Sequence, residues 1–185
     1  MYEVELKVRA DHGPVRDRLE RRDARHLGPV TQVDTYYDAP HRDFAETDEA
    51  LRIRHEQADG DEVAKLTYKG PLLEAASKSR EEHETAVADA EAARGLLDGL
   101  GFAPAAEVRK ERDRYHLDGY TVTLDSVDGL GEFVEVETET ETDDIERARE
   151  GAAALLESLG LDPDQGIRTS YLGLLLDTAE DDASK

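Results

Sequence analysis

Residues 2–10, YEVELKVRA, alternate without a fault: Glu3, Glu5, Lys7 and Arg9 share one face, and Val4, Leu6 and Val8 share the other. Period two is the signature of a β-strand. The same alternation predicts strands at 30–38, 49–57, 62–69, 80–87, 105–117, 119–127 and 132–140. Asp59-Gly60, Asp118-Gly119 and Gly129-Leu130-Gly131 supply turns between consecutive runs. Between the strands the period changes. Helices are expected over 14–27, with Pro14 in the first turn and Val15, Leu19 and Leu27 on one side, and over 89–100, 143–159 and 170–176. Gly70-Pro71 opens a loop through 79 that is rich in small residues and expected to be mobile.

Eight strands in an antiparallel meander close readily into a barrel, and a barrel of that size either fills with side chains or holds one small ligand. The expected fold is therefore α+β: a closed eight-stranded antiparallel β-barrel with helices packed outside. One domain over 1–176 accounts for the pattern, and the acidic remainder, 177–185, is expected to be disordered.

Composition narrows the function. Forty-five acids against 23 bases give a formal net charge of −22. Nucleic-acid binders need a basic face, so that class is excluded. No apolar run is long enough to span a membrane, no signal peptide precedes the first strand, and cysteine is absent. A cytoplasmic protein is expected, with no membrane partner; a homodimer is left open. Such acidity, with six lysines against 17 arginines, points to a salt-adapted source, because a highly charged surface stays soluble in concentrated salt. In a chain that avoids lysine, Lys7, Lys65, Lys69 and Lys110 all lie within alternating strands.

The charged faces repeat from strand to strand. Arg52 and Arg54 share a face, as do Lys65, Thr67 and Lys69; Arg80, Glu82 and Glu84; Lys110, Arg112 and Arg114; Thr123 and Asp125; and Glu135, Glu137 and Glu139. A one-sided sheet would also alternate, with its charges simply solvated. An acidic chain that concentrates its bases on these faces fits better if helices cover the aliphatic side and the charges line a bore. Buried charge is costly unless paired or ligated. Carboxylates suit a hard cation such as Mg²⁺ or Mn²⁺, and lysine and arginine suit phosphate oxygens. A metal–polyphosphate satisfies both.

Glu3-Val4-Glu5-Leu6-Lys7 is an ExExK motif, weak alone. It is followed in order by Leu51-Arg52-Ile53-Arg54, Leu66-Thr67-Tyr68-Lys69-Gly70-Pro71, Ser79-Arg80-Glu81-Glu82, Lys110-Glu111-Arg112-Asp113-Arg114-Tyr115, Leu124-Asp125-Ser126-Val127-Asp128-Gly129-Leu130-Gly131 and Phe133-Val134-Glu135-Val136-Glu137. As a set this resembles the CYTH superfamily, the triphosphate tunnel metalloenzymes. The GLGxFxExE stretch and the closing Ser170-Tyr171 are most similar to the class IV adenylate cyclase (CyaB-like) branch.

The resemblance implies an eight-stranded tunnel and metal-dependent work on ATP or another triphosphate. By position, Glu3, Glu5, Asp125, Glu135 and Glu137 correspond to metal ligands for Mg²⁺ or Mn²⁺, and together with Lys7 to the catalytic set. Lys7, Arg52, Arg54, Lys69, Arg80, Lys110 and Arg112 correspond to the phosphate clamp, with Glu82 and Glu84 as further tunnel residues and Lys65 and Arg114 in the wall. The implied activity is conversion of ATP to cyclic AMP and pyrophosphate. Hydrolysis of inorganic, thiamine or nucleoside triphosphate, and non-catalytic sensing of polyphosphate or nucleotide, are the alternatives. Six scattered histidines form no metal motif, and Tyr36 and Tyr37 read as core or rim.

Overall fold

The computed structural model of the chain describes residues 2–71, 80–141 and 144–183. The loop expected over 70–79 lies outside these residues from 72 onward, as do the start of the helix expected at 143 and the last two residues of the tail. The strands are β1 (Tyr2–Arg9), β2 (Arg25–Asp38), β3 (Ala50–Ala58), β4 (Asp61–Lys69), β5 (Arg80–Val87), β6 (Ala103–Leu117), β7 (Tyr120–Val127) and β8 (Gly131–Thr140). They close into an antiparallel barrel in the order β1-β5-β4-β3-β2-β6-β7-β8. Hairpins build most of the wall. At the β3–β4 turn Asp59 and Gly60 have φ of 53° and 89°, the doubly left-handed pair that matches the twist of flanking strands. The barrel is completed by three long-range joins, β2–β6, β1–β8 and β1–β5. β1 runs beside β8 over its whole length, from Tyr2↔Thr140 to Arg9↔Phe133, and among the described residues it meets β5 at Tyr2↔Glu81 and Glu3↔Arg80.

The helices are α1 (His12–Arg21), α2 (Phe44–Thr47), α3 (Ala90–Gly99), α4 (Ile145–Ser158) and α5 (Tyr171–Ala183), with a 3₁₀ turn at Pro163–Gln165. They cover the aliphatic faces of the strands. Val15 and Leu19 of α1 and Ala152, Leu155 and Leu156 of α4 join Val8, Val122, Leu124, Val134 and Val136 in the main core. Each fully buried Val or Leu there contributes about 1.5–3 kcal/mol. Ala93 and Leu97 of α3 pack on Tyr37 and Ile53. Where helices cover the aliphatic side of a strand, its charged side faces the bore; the outer face of β5, with Glu81, His83 and Thr85, stays exposed.

Three elements depart from the sequence reading. The first helix stops at Arg21 and not at 27, because Asp23 turns the chain at φ 53° and Arg25 onward becomes strand. The long β6 decides this: its far end, Tyr115 and His116, takes His26 and Arg25 as hydrogen-bonding partners, and Leu27 is left outside the core. The four-residue α2 was not foreseen; Asp43 caps it by accepting from the Ala45 backbone N–H at 2.8 Å. Finally, α5 does not end at 176 but runs on through Ala183 into the segment expected to be disordered. No glycine or proline follows Gly173 to break it. Among the described residues no helix is long and apolar enough to cross a membrane.

Candidate active site

The bore is a cavity of about 270 Å³ whose wall is divided by charge. On one side β1 and β8 lie adjacent, and their register sets Glu5 beside Glu137 and Lys7 beside Glu135. One carboxylate oxygen from each of Glu3, Glu5 and Glu137 can be chosen so that all lie within 4.8 Å of one another. That spacing fits a hard divalent cation held through oxygen. Burial, together with Glu3, Glu135 and Glu5 around it, outweighs the attraction of Arg112 and pushes the Glu137 carboxyl up to about 7. Glu3 is also raised, first by burial and then by Glu82 and Glu5, against the pull of Lys69. A cation would relieve this crowding of negative charge, so the donor set and its electrostatics both fit Mg²⁺ or Mn²⁺.

The opposite side is cationic. Arg52 and Arg54 come from β3, Lys69 from β4, and Lys110 and Arg112 from β6. The guanidiniums are held in place by two carboxylates with no solvent exposure. Arg54 donates to both oxygens of Asp34, at 2.6 and 2.7 Å, and Arg52 reaches the same carboxylate at 3.4 Å. Burial works against ionised Asp34, but Arg52 and Arg54 outweigh it and hold the carboxyl well below the usual range. Arg112 makes the same fork to Asp125, at 2.6 and 2.7 Å, and also donates to Glu135. Lys110 lies 3.8 Å from Asp34. Its burial, followed by repulsion from Arg112 and Arg54, pushes its amine down to about 7. Lys69 bridges the two sides, donating to Glu3 at 2.6 Å and pairing with Glu82 at 2.8 Å.

Of the residues that the family resemblance assigns to the site, all line this cavity except Asp125; Arg9, Thr123 and Glu139, on the same charged faces, do not line it. Glu3, Glu5 and Glu137 form the carboxylate cluster. Glu135 lines the bore nearby but is committed to Arg112, with Lys7 at 3.9 Å. Asp125 points inward but is fully buried beneath Arg112 and Tyr171, which line the bore, as the partner of both. Arg80 reaches the bore but binds Asp48, through its carbonyl at 2.7 Å and its carboxylate at 3.0 Å. Glu84 accepts from Thr67 at 2.9 Å and pairs with Lys65 at 3.2 Å, as wall residues do.

Two contributors escaped the sequence reading. Asp34 was passed over within VTQVDTYYD, although a lone aspartate in a strand-forming run is a signal, since aspartate is depleted in strands. Tyr171 was noted only as a closing motif. It opens α5, its hydroxyl donates to Asp125 at 2.8 Å, and its ring faces Lys7 at 4.2 Å and Lys110 at 5.2 Å. Burial, then Glu135 and Asp125, raise the hydroxyl far above its ordinary value, so it stays a donor.

A family model for the CYTH domain matches residues 1–171. The chain belongs to the CYTH domain family. A protein of Methanocaldococcus jannaschii, provisionally named an adenylate cyclase, is 38% identical over 176 residues, covering 94% of this chain and 98% of the relative. A solved protein of Pyrococcus horikoshii is 40% identical with a TM-score of 0.89, over 95% of this chain and 99% of that one. A solved Hippeastrum protein, provisionally named an adenylyl cyclase and described as having a dominant triphosphatase activity, shares the fold. Its TM-score is 0.69 at 20% identity, over 96% of this chain and 95% of that one. CYTH proteins act on triphosphates such as ATP, and a bore with a carboxylate cluster facing fixed guanidiniums is the arrangement such work needs.

Proposed function

We propose that the barrel is a metal-dependent adenylate cyclase of the class IV type, converting ATP to cyclic AMP and pyrophosphate. The observation that carries this reading is the carboxylate cluster of Glu3, Glu5 and Glu137 facing Arg52, Arg54 and Arg112 across one closed bore. Glu3, Glu5 and Glu137 hold Mg²⁺ or Mn²⁺, which supplies neutralisation of phosphate oxygens and a lowered pKa for the attacking hydroxyl. Arg52, Arg54, Lys69, Lys110 and Arg112 grip the triphosphate. Asp34 and Asp125 fix the guanidiniums before substrate arrives, so little reorganisation is needed during the reaction. The ribose 3′ oxygen forms a bond to the α-phosphorus and loses its proton to solvent. The bond from the α-phosphorus to the bridging oxygen breaks, and pyrophosphate leaves with that oxygen. The name of the Methanocaldococcus relative supports this reaction.

The second reading is triphosphate hydrolysis in the same clamp, with water attacking the terminal phosphorus; the activity described for the Hippeastrum protein favours it. Chromatographic product analysis with ATP, inorganic triphosphate and thiamine triphosphate in parallel, in high salt with Mn²⁺ or Mg²⁺, separates the two. Cyclic AMP with pyrophosphate is the expected result. Orthophosphate from triphosphate with no cyclic nucleotide from ATP overturns the cyclase in favour of the hydrolase. Tight binding without product from any of the three leaves a nucleotide or polyphosphate sensor.

A further inference from the structure

Among the cations of the wall sits a neutral residue whose carbonyl does not suit phosphate. Gln32 of β2 lines the bore and is only 3% exposed. Its Nε2 donates to Glu56 Oε2 at 2.7 Å, which fixes the amide so that the carbonyl is the end left for a ligand. That carbonyl oxygen, Oε1, is buried without a hydrogen-bond partner. Leaving a buried acceptor unsatisfied is costly, and such atoms in native proteins commonly wait for a ligand or ordered water.

The neighbours sharpen the point. Gln32 pairs with Lys110 across the β2–β6 ladder, and the next inward positions along β2, Val30 and Asp34, pair with Arg112 and with Arg54. A carbonyl set among these cations repels the phosphate oxygens they attract. It can accept only from an O–H or N–H. In the closed ring β2 is four strands from β1 in either direction, so Gln32 looks across the bore toward the strand that carries Glu3 and Glu5. Gln32 lines the same cavity as the carboxylate cluster and the guanidiniums, so a ligand that fills the bore shares it with this carbonyl. Ionised inorganic triphosphate has no donor to offer there, whereas a nucleoside has ribose hydroxyls and an exocyclic amine.

We infer that Gln32, oriented by Glu56, is a specificity residue that accepts a hydrogen bond from the organic part of the substrate and so favours a nucleoside triphosphate over inorganic triphosphate. The inference rests on the triphosphate reading of the bore, and it gives the wall two tasks: cations hold charge, and one neutral acceptor reads what the charge is attached to.

Titration calorimetry with Mg²⁺ tests it, using α,β-methylene ATP and inorganic triphosphate as probes. In Gln32→Met, which keeps the volume and removes the acceptor, the affinity ratio of the nucleotide analogue to inorganic triphosphate should fall roughly tenfold, as for one buried hydrogen bond lost. An unchanged ratio overturns the inference, whether both affinities hold or both fall together. A second arm uses the native protein and does not depend on the variant folding. The 2′-deoxy and 3′-deoxy forms of the analogue, and the form lacking the exocyclic amine, are compared with the parent. One of them should bind roughly tenfold more weakly, and that penalty should vanish in Gln32→Met. Equal binding of all four forms, or a penalty that persists in the variant, also overturns it. Native protein that binds neither probe would refute the triphosphate reading itself, an outcome distinct from equal discrimination.

Discussion

Asp125→Asn separates two roles for one residue. The sequence motif makes Asp125 a metal ligand, whereas the structure gives its two oxygens to the fork from Arg112 and to the Tyr171 hydroxyl. If it is the buried counter-charge of Arg112, removing it strands a guanidinium that is only 8% exposed. Breaking such a pair costs about 3–5 kcal/mol. The lower end is expected here, because Glu135 still accepts from Arg112. At about 2–4 °C per kcal/mol for a chain of this size, Tm should drop by roughly 6–12 °C. The loss should persist at high salt, since a buried pair is little screened. Wild-type Asp125 has a depressed pKa, so its stabilisation is full above about pH 4 and disappears as acid titrates the buried carboxyl; the gap between the two proteins narrows accordingly. Calorimetric scans give Tm and Mn²⁺ titration gives metal affinity. A Tm within about 3 °C of wild type, combined with a tenfold or greater loss of Mn²⁺ affinity, would refute the structural role and restore the ligand.

Glu137→Gln should weaken Mn²⁺ binding by at least roughly tenfold, measured by titration. In the native protein that affinity should climb as pH rises from 6 toward 8, because the Glu137 proton, held with a pKa of about 7, must leave first. The same raised pKa makes the metal-free protein lose stability between its ordinary value of 4.5 and about 7, and bound metal should cancel that slope in Tm against pH. Arg52→Ala should reduce affinity for a non-hydrolysable ATP analogue by roughly 10- to 150-fold, the worth of one charged hydrogen-bond partner; unchanged affinity by calorimetry would put this side chain outside the clamp. With a net charge of −22, Tm should rise steadily with KCl between about 0.1 and 2 M as the Debye length shrinks, and a flat or falling profile would count against salt adaptation.

The barrel was legible because one faultless alternation recurs in strand after strand and its turns carry Asp-Gly pairs. What stayed hidden was nonlocal. Nothing in ARHLGP says strand; it becomes one because β6 needs a partner beyond Arg112. The bore residues were legible for the same reason as the strands, since each lies on a charged face. Roles within the bore were harder. Asp125 and Glu137 both alternate inward, and only the three-dimensional placement of Arg112 and Tyr171 turns one into a counter-charge while the other stays in the carboxylate cluster. Asp34 is hard to read from sequence because its nearest neighbours on the same face of β2, Gln32 and Tyr36, are uncharged, unlike the paired charges of β3 and β6. Its importance comes entirely from neighbours on those strands.

The barrel is a hoop, and among the described residues its β1–β5 join runs through Tyr2↔Glu81 and Glu3↔Arg80. Glu3 reaches across it to Lys69, so part of that fastening is an ion pair made of the groups that would hold metal and phosphate. A ligand that engages both would tighten the hoop from within. Amide hydrogen exchange at the starts of β1 and β5 would then slow on binding more than exchange at the β2–β6 ladder, which pairs from Arg25 to Asp38.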